Sequence, residues 1–90
     1  MDYYSDDDAI VLIEKYFKYK IKSSAFSLTE KIFWLNDNVG SPYLNCDEFY
    51  RQNRKYTINN DGLWDYWTDG PDLNFYFKNP EDAMKFKLFF

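Results

Sequence analysis

Hydrophobic and polar residues alternate between Leu73 and Lys78, and the pattern changes to that of a helix immediately afterwards. An apolar side chain at every second position is the period of a β-strand with one buried face. Asn79 is a favoured N-cap residue, Pro80 is favoured in the first helical turn, and the two acids that follow suit the positive end of a helix dipole. We therefore predict a strand there and a helix from Pro80 to about Phe89.

The same order of strand and helix occurs earlier in the chain. Apolar residues alternate with lysines from Phe17 to Lys22, which predicts a strand at about 15–23 with one basic face. Ser27 to Glu30 has the S-x-x-E form of a capping box, apolar residues follow at helical spacing, and Gly40 stands where a left-handed C-terminal cap would fall. We therefore predict a helix at about 28–38. The two strand–helix units resemble a degenerate internal duplication.

The N-terminal and middle segments have weaker patterns. Residues 1–8 are rich in aspartate and could either be flexible or cap a short helix from about Ala9. Residues 9–15 fit a helix and a strand equally well. Residues 41–53 have mixed polarity, which predicts a loop with one short helical turn at 47–51.

Three short β-prone runs in the second half of the chain are separated by strong turn sequences. The runs cover 54–58, 63–67 and 73–78, and the turns cover 59–62 and 68–72. They predict an antiparallel meander. Together with two helices this gives an α+β fold, a small antiparallel sheet of three or four strands with two helices on one face. Its arrangement would be ferredoxin-like or truncated ferredoxin-like, and a simple meander with helices at one face is the rival. No linker or low-complexity segment interrupts the chain, so we predict a single domain.

The residue types present argue against catalysis. The 90 residues include no histidine and one cysteine, Cys46. This removes the commonest general base and metal ligand and allows no internal disulfide. Adjacent acids such as Glu81 and Asp82 are explained as first-turn helix residues, and no Walker loop or G-x-G-x-x-G motif occurs. We predict a protein that is not an enzyme, with no cofactor and no metal, in which Cys46 is a buried thiol in a reducing cytosol.

The net charge of the chain limits the classes of partner that it is expected to bind. A net charge of −4 disfavours nonspecific binding to nucleic acid phosphates and to anionic membranes. The apolar run from Ala9 to Ile13 is too short to span a bilayer, so we expect no membrane contact. The lysines of the 15–23 strand, beside Tyr16 and Tyr19, keep single-strand nucleic-acid binding open as an alternative. The acids of the chain allow the opposite alternative, a weak nucleic-acid mimic.

Aromatic residues make up 23% of the chain, which exceeds what one small core needs. Surplus aromatics commonly lie at interfaces, where they bring large contact areas. If residues 63–67 form a strand, Asp65 and Trp67 share one face and their neighbours share the other, so one tryptophan faces solvent or a partner. The candidate partner-binding residues are Trp64, Asp65, Trp67, Asp69 and Asp72, with Tyr3 and Tyr4 as secondary candidates.

Two other interpretations of this segment stay open. Trp64 and Tyr66 could be core residues, with the aspartates chosen for local hydrogen bonds in turns. A calcium site is the remaining alternative, although the spacing of the acids is not that of an EF-hand loop.

The C-terminal sequence resembles the ending of small accessory proteins of tailed bacteriophages. The similar residues are Phe75 to Ala83 and Phe86-Lys87-Leu88, and Phe33 to Val39 resembles the first helix of those proteins. The chain departs from them in ending on Phe89-Phe90. The resemblance covers about half of the chain and implies a viral accessory protein made in a bacterial host, of a kind that often occupies a host enzyme, transcription component or defence complex.

These observations together favour a non-enzymatic phage protein that binds and inhibits a host protein in the host cytoplasm. Anti-defence activity of an anti-CRISPR-like or anti-restriction-like kind is the expected purpose. The first alternative is a structural or assembly protein that forms a homo-oligomer through its aromatic surface. The second is the single-strand nucleic-acid binder or weak mimic.

Overall fold

Residues 3–24, 26–47, 55–69 and 72–90 are described by a computed structural model of the protein. Within them the chain forms three helices and five strands, which confirms the α+β class. In chain order the elements are α1 (Asp6–Tyr16), β1 (Tyr19–Ser23), α2 (Leu28–Asn38), β2 (Leu44–Asp47), β3 (Lys55–Ile58), β4 (Trp64–Asp69), β5 (Asp72–Phe77) and α3 (Pro80–Phe89).

The larger sheet has the order β1-β5-β4 and is antiparallel throughout. Phe75 is at its centre, paired with Ile21 on one side and Tyr66 on the other. All residues from Leu73 to Phe77 are buried, although they alternate between the two faces of the sheet. Both faces of the central strand are therefore covered.

Two hydrophobic clusters cover these two faces. The first contains Leu35 of α2, Trp64 of β4, Ala83 and Phe86 of α3, and the β5 residues Leu73, Phe75 and Phe77. The second contains Ala9 and Ile13 of α1, with Phe17, Tyr43, Leu44, Tyr56 and Tyr76. The chain thus forms a layer on each side of the three-stranded sheet.

The N-terminal segment is a helix, and the predicted strand at 15–23 begins later, at Tyr19. Ser5 caps α1 by accepting a hydrogen bond from the Asp8 amide at 3.4 Å. Ala9 and Ile13 are four residues apart and both are fully buried, so one face of the helix is anchored in the second cluster. This burial decides the ambiguity of residues 9–15 in favour of a helix.

The predicted second helix is confirmed, but its predicted cap is not. Ser27 lies in the left-handed region at φ 58°, and its side chain makes no capping hydrogen bond. The start of α2 is instead fixed by Lys31, whose ammonium donates to Ser23 Oγ at 3.1 Å and to the Ser24 carbonyl at 2.9 Å. At the other end, Gly40 has φ 144°, a conformation that favours glycine, and its amide donates to the Leu35 carbonyl.

The predicted meander is only partly present. The β4–β5 hairpin forms, but β3 pairs with β2 in a separate two-stranded antiparallel sheet. Asn59 explains the difference, because its amide donates to the Tyr43 carbonyl at 2.7 Å and its side chain to the Pro42 carbonyl at 3.2 Å. These bonds tie the end of β3 to the chain that enters β2. The predicted helical turn at 47–51 lies mostly outside the described residues.

The finer expectations for the architecture are not confirmed. The strand order β1-β5-β4 contains no parallel pair, and a second sheet and a third helix are present. These features do not establish a ferredoxin-like arrangement. In the described part of the chain, no helix has the length and apolar content needed to cross a bilayer.

Candidate functional site: the α2–α3 aromatic patch

Trp64, a predicted contact residue, lies inside the protein. Only 1% of it is exposed, and it packs in the first cluster. Its indole Nε1 donates a hydrogen bond to the Gly40 carbonyl at 2.6 Å, which ties β4 to the end of α2. The structure therefore places Trp64 in the core, as the alternative interpretation of this segment expected, and we leave it out of any contact surface.

Asp65 is also buried, with 5% of the residue exposed. Its Oδ2 accepts a hydrogen bond from the Leu44 amide and its Oδ1 accepts one from the Tyr66 amide, both at 2.7 Å. Burial raises the pKa of the Asp65 carboxyl to about 7, while the two amide donors act in the opposite direction. Asp65 thus links the three-stranded sheet to β2, and its side chain does not lie on the surface.

The remaining predicted residues fall into two groups. Tyr4 and Trp67 both approach Tyr56: Tyr4 through a pair of backbone hydrogen bonds at 2.9 Å, and Trp67 with ring centroids 5.6 Å apart. Tyr3 is exposed next to them, with Lys55 Nζ 5.8 Å from its ring. We name Tyr3, Tyr4 and Trp67 the β3 surface.

The predicted acids do not join this surface as a group. Asp72 is half-buried at the start of β5, where its carboxylate forms a 3.0 Å ion pair with Lys22. An exposed pair of this kind contributes at most about 1 kcal/mol. The side chains of Asp69 and Cys46 lie outside what the structure describes. In the described ranges, no group of three or more acids, cysteines or histidines could hold a metal ion.

The lysines that motivated the nucleic-acid alternative lie on β1, an edge strand of the larger sheet, or directly before it. Lys18, Lys20 and Lys22 are exposed. Lys22 is paired with Asp72, and Lys20 Nζ lies 5.7 Å from the Tyr76 ring. Exposed lysines on an edge strand also protect it from pairing with another chain.

A stronger candidate site, which the sequence did not single out, lies where α2 meets α3. We name it the α2–α3 aromatic patch and define it as Trp34, Phe89 and Phe90. The Trp34 ring stacks on Phe89 at 5.3 Å and meets Phe90 edge-on at 5.8 Å, and the two phenylalanine rings are 5.0 Å apart. Phe89 is 66% exposed and Phe90 is 44% exposed.

The buried part of the same helices holds this patch in place. Phe86 is fully buried, and its ring contacts both Trp34 and Phe90. Beside the patch, Leu88 on α3 is 82% exposed, and Phe33 on α2 is exposed as well. A helix that buries one face needs apolar residues over about 100° of its surface. In the last turn of α3, apolar side chains cover a wider arc than this. This excess was the sequence signal for the patch.

The α2–α3 aromatic patch can bind but has no group that could transfer a proton or hold a metal. Its three rings offer rigid contact area at low cost in conformational entropy, and tryptophan is the residue type most enriched at the energetic centres of interfaces. Soluble monomers seldom expose contiguous apolar clusters without a functional reason. Comparison with protein-family models, with curated proteins and with solved structures found no match for the chain.

Proposed function

We propose that this protein acts by binding another protein through the α2–α3 aromatic patch and catalyses no reaction. The observation that carries the proposal is the contact of Trp34 with two phenylalanine rings that remain substantially exposed. The buried Phe86 ring contacts Trp34 and Phe90. The patch is therefore pre-organised and loses little conformational entropy on binding. Pre-organised, exposed aromatic rings are typical of protein interfaces.

The resemblance to phage accessory proteins supports a more specific form of this proposal. The partner is then a host protein, the compartment is the host cytoplasm, and binding inhibits a defence system in an anti-CRISPR-like or anti-restriction-like manner. A chain of 90 residues can inhibit in this way because covering a working surface of the target requires only one interface of standard size.

Truncation of the patch is expected to abolish partner capture. Phe89→Ala removes an exposed ring that contacts Trp34 and Phe90, so it should weaken binding by about 2 kcal/mol, or about 30-fold, with little effect on folding. The measurement is affinity purification from bacterial lysate with quantitative identification of the retained protein. The wild-type chain should enrich one host protein, and Phe89→Ala should not.

Two control variants make this experiment specific. Val11→Ala shortens an exposed apolar side chain on α1 and should retain the partner as well as the wild type. Tyr3→Ala tests the β3 surface in the same way. A partner that is lost with Tyr3→Ala and retained with Phe89→Ala would move the site to the β3 surface. Equal retention by all variants would contradict both assignments.

Self-association is the second candidate function, because the α2–α3 aromatic patch could also pack against its own copy. A symmetric dimer places the same residues on both sides of the interface. Sedimentation at micromolar concentration separates the two functions. A stable homodimer that Phe89→Ala converts to monomer, with no host protein retained, would replace the host-binding proposal by self-assembly.

A further inference from the structure

A partly open cleft of about 870 Å³ lies on the side of the second hydrophobic cluster, away from the α2–α3 aromatic patch. Its walls come from α1, β2, β3 and the turn after β5. We name it the tyrosine cleft and define it by Tyr4, Tyr16, Tyr43 and Lys78. Sites of 300–1,000 Å³ accommodate small organic ligands, so its size permits specific binding.

Lys78 brings a positive charge into this cleft. It is half-buried, and its Nζ lies 5.5 Å from the ring centroids of both Phe17 and Tyr43. One of its three N–H donors bonds to the Asn60 carbonyl at 3.2 Å. None of the carboxylates in the described ranges forms an ion pair with it. Among the described residues, the contacts of this ammonium are therefore with neutral groups.

The charge of the lining supports the same conclusion. The chain carries 15 acidic residues, yet the lining of the tyrosine cleft that the structure describes contains no aspartate or glutamate. By its described lining the cleft is a locally positive site on an acidic protein, and low-dielectric aromatic walls strengthen the field of the Lys78 ammonium. A small anion is the ligand type that this distribution favours.

The remaining lining groups suit a planar ring attached to that anion. Tyr16 is 50% exposed, with Lys15 Nζ 5.3 Å from its ring centroid, so part of the ring remains accessible for stacking with a ligand. Burial, followed by the nearby Tyr16 and Tyr4 hydroxyls, raises the pKa of Tyr43, so this hydroxyl stays protonated and can donate a hydrogen bond. Asn45 and Thr57 add polar groups that could bond to the edge of a ring.

We propose that the tyrosine cleft is a binding site for a small molecule that joins one anionic group to a planar ring. The anionic group, a phosphate or a carboxylate, lies against Lys78, and the ring stacks on the cleft tyrosines. Nucleoside monophosphates and aromatic carboxylates both have this chemistry. This site is separate from the surface proposed for protein binding, so either can exist without the other.

NMR titration of the full chain tests the site. The probes are a nucleoside monophosphate, the same nucleoside without phosphate, an aromatic carboxylate and inorganic phosphate. We expect saturable amide shifts at Asn45, Thr57 and Asn59 with at least one of the ring-bearing anions. We also expect at least about tenfold weaker binding of the uncharged nucleoside and of inorganic phosphate. Whichever ring-bearing anion binds more tightly identifies the anionic group.

Two variants with a matched control complete the test. Lys78→Gln removes the charge and should weaken binding at least about tenfold, because a charge-assisted hydrogen bond is lost. Tyr16→Ala removes the half-exposed ring on which the ligand stacks and should weaken binding at least about fivefold. Lys20→Gln removes another lysine that lies over a tyrosine ring, outside the cleft, and should leave binding unchanged.

Three results would overturn the proposal. The first is no saturable shift with either ring-bearing anion at millimolar concentration. The second is equal weakening by Lys78→Gln and Lys20→Gln, which would indicate a general charge effect. The third is equal affinity for inorganic phosphate and for the nucleotide, which would indicate an ion site without a ring site.

Discussion

The free energy of unfolding is expected to fall as the pH rises from about 4 to about 7, and Asp65 is the residue responsible. Its pKa rises from 3.8 to about 7 in the folded chain because the carboxyl is buried. Between these values the folded protein holds a proton that the unfolded chain has released, so each pH unit destabilises the fold. At about 1.4 kcal/mol per pH unit, the free energy of unfolding falls by at most roughly 4 kcal/mol between these two pKa values.

Asp65→Asn isolates this contribution. The amide group cannot ionise, so the stability of the variant should lack this pH dependence. Its NH₂ would also face one of the two amide donors that now bond to the carboxylate, which costs roughly 1–3 kcal/mol. The variant should therefore be less stable than the wild type at pH 4, and the difference should disappear or reverse above pH 7.

Urea denaturation at several pH values from 4 to 8 measures this difference, and a ¹³C NMR titration of the Asp65 carboxyl measures its midpoint directly. A midpoint near 7 and converging stability curves would support the buried, sheet-joining role. A midpoint near 4, or parallel curves for wild type and Asp65→Asn, would show that the carboxyl is solvated in the folded protein.

Gly62→Ala is expected to prevent stable folding. An added Cβ at Gly62 would collide with the Tyr43 Cα and would lie 2.6 Å from the Tyr43 nitrogen and 2.7 Å from the Pro42 carbonyl carbon. These are backbone atoms and cannot rotate away. The two segments are also held together by the Tyr43 amide, which donates to the Trp64 carbonyl, and by the Leu63 amide, which donates to Ser41. Separating the segments would break both bonds.

Circular dichroism and thermal unfolding of Gly62→Ala provide the measurement. A loss of at least about 3 kcal/mol is expected, which is a large part of the 5–15 kcal/mol that stabilises a typical domain. Asp61→Ala is the matched control, because Asp61 is exposed in the same turn and its change should cost no more than about 0.5 kcal/mol. A Gly62→Ala protein as stable as this control would contradict the close approach of the two segments.

The sequence predicted the elements whose signals are local. α2, α3 and the β4–β5 hairpin were found from apolar periodicity and turn residues, although β5 is buried at every position from Leu73 to Phe77 and not on one face alone. α1 was ambiguous, because the spacing of Ala9 and Ile13 fits both the helical and the strand period. The structure buries both side chains in the second cluster, on one face of a helix. Local patterns therefore gave the α+β class and most of the element boundaries.

The pairing of β2 with β3 was not predictable in the same way. It depends on Asn59, whose bonds to Tyr43 and Pro42 join residues 16 and 17 positions apart in the chain. Turn propensity at 59–62 indicated a hairpin between β3 and β4, and these long-range bonds overrode it. Asp65 was misplaced for a related reason: nothing adjacent in sequence shows that the Leu44 amide will reach it.

The aromatic surplus correctly indicated that large rings had to be placed outside the core, but it did not say where. Prediction concentrated on the acidic segment around Trp64, in which the fold buries Trp64 and Asp65. In α3 the structure buries Phe86 and leaves Phe89 and Phe90 exposed around Trp34. Helical periodicity alone cannot show how much of a stripe the neighbouring helix covers.

The affinity of the purified protein for its retained partner, measured by isothermal titration calorimetry, tests most directly the claim that the α2–α3 aromatic patch is the binding surface. Trp34→Ala and Phe89→Ala are compared with Val11→Ala and Tyr3→Ala, each after its folding has been confirmed by circular dichroism. We predict that each patch variant binds at least about 30-fold more weakly and that both controls stay within about threefold of the wild type. Wild-type affinity for folded Phe89→Ala together with a large loss for Tyr3→Ala would contradict the claim.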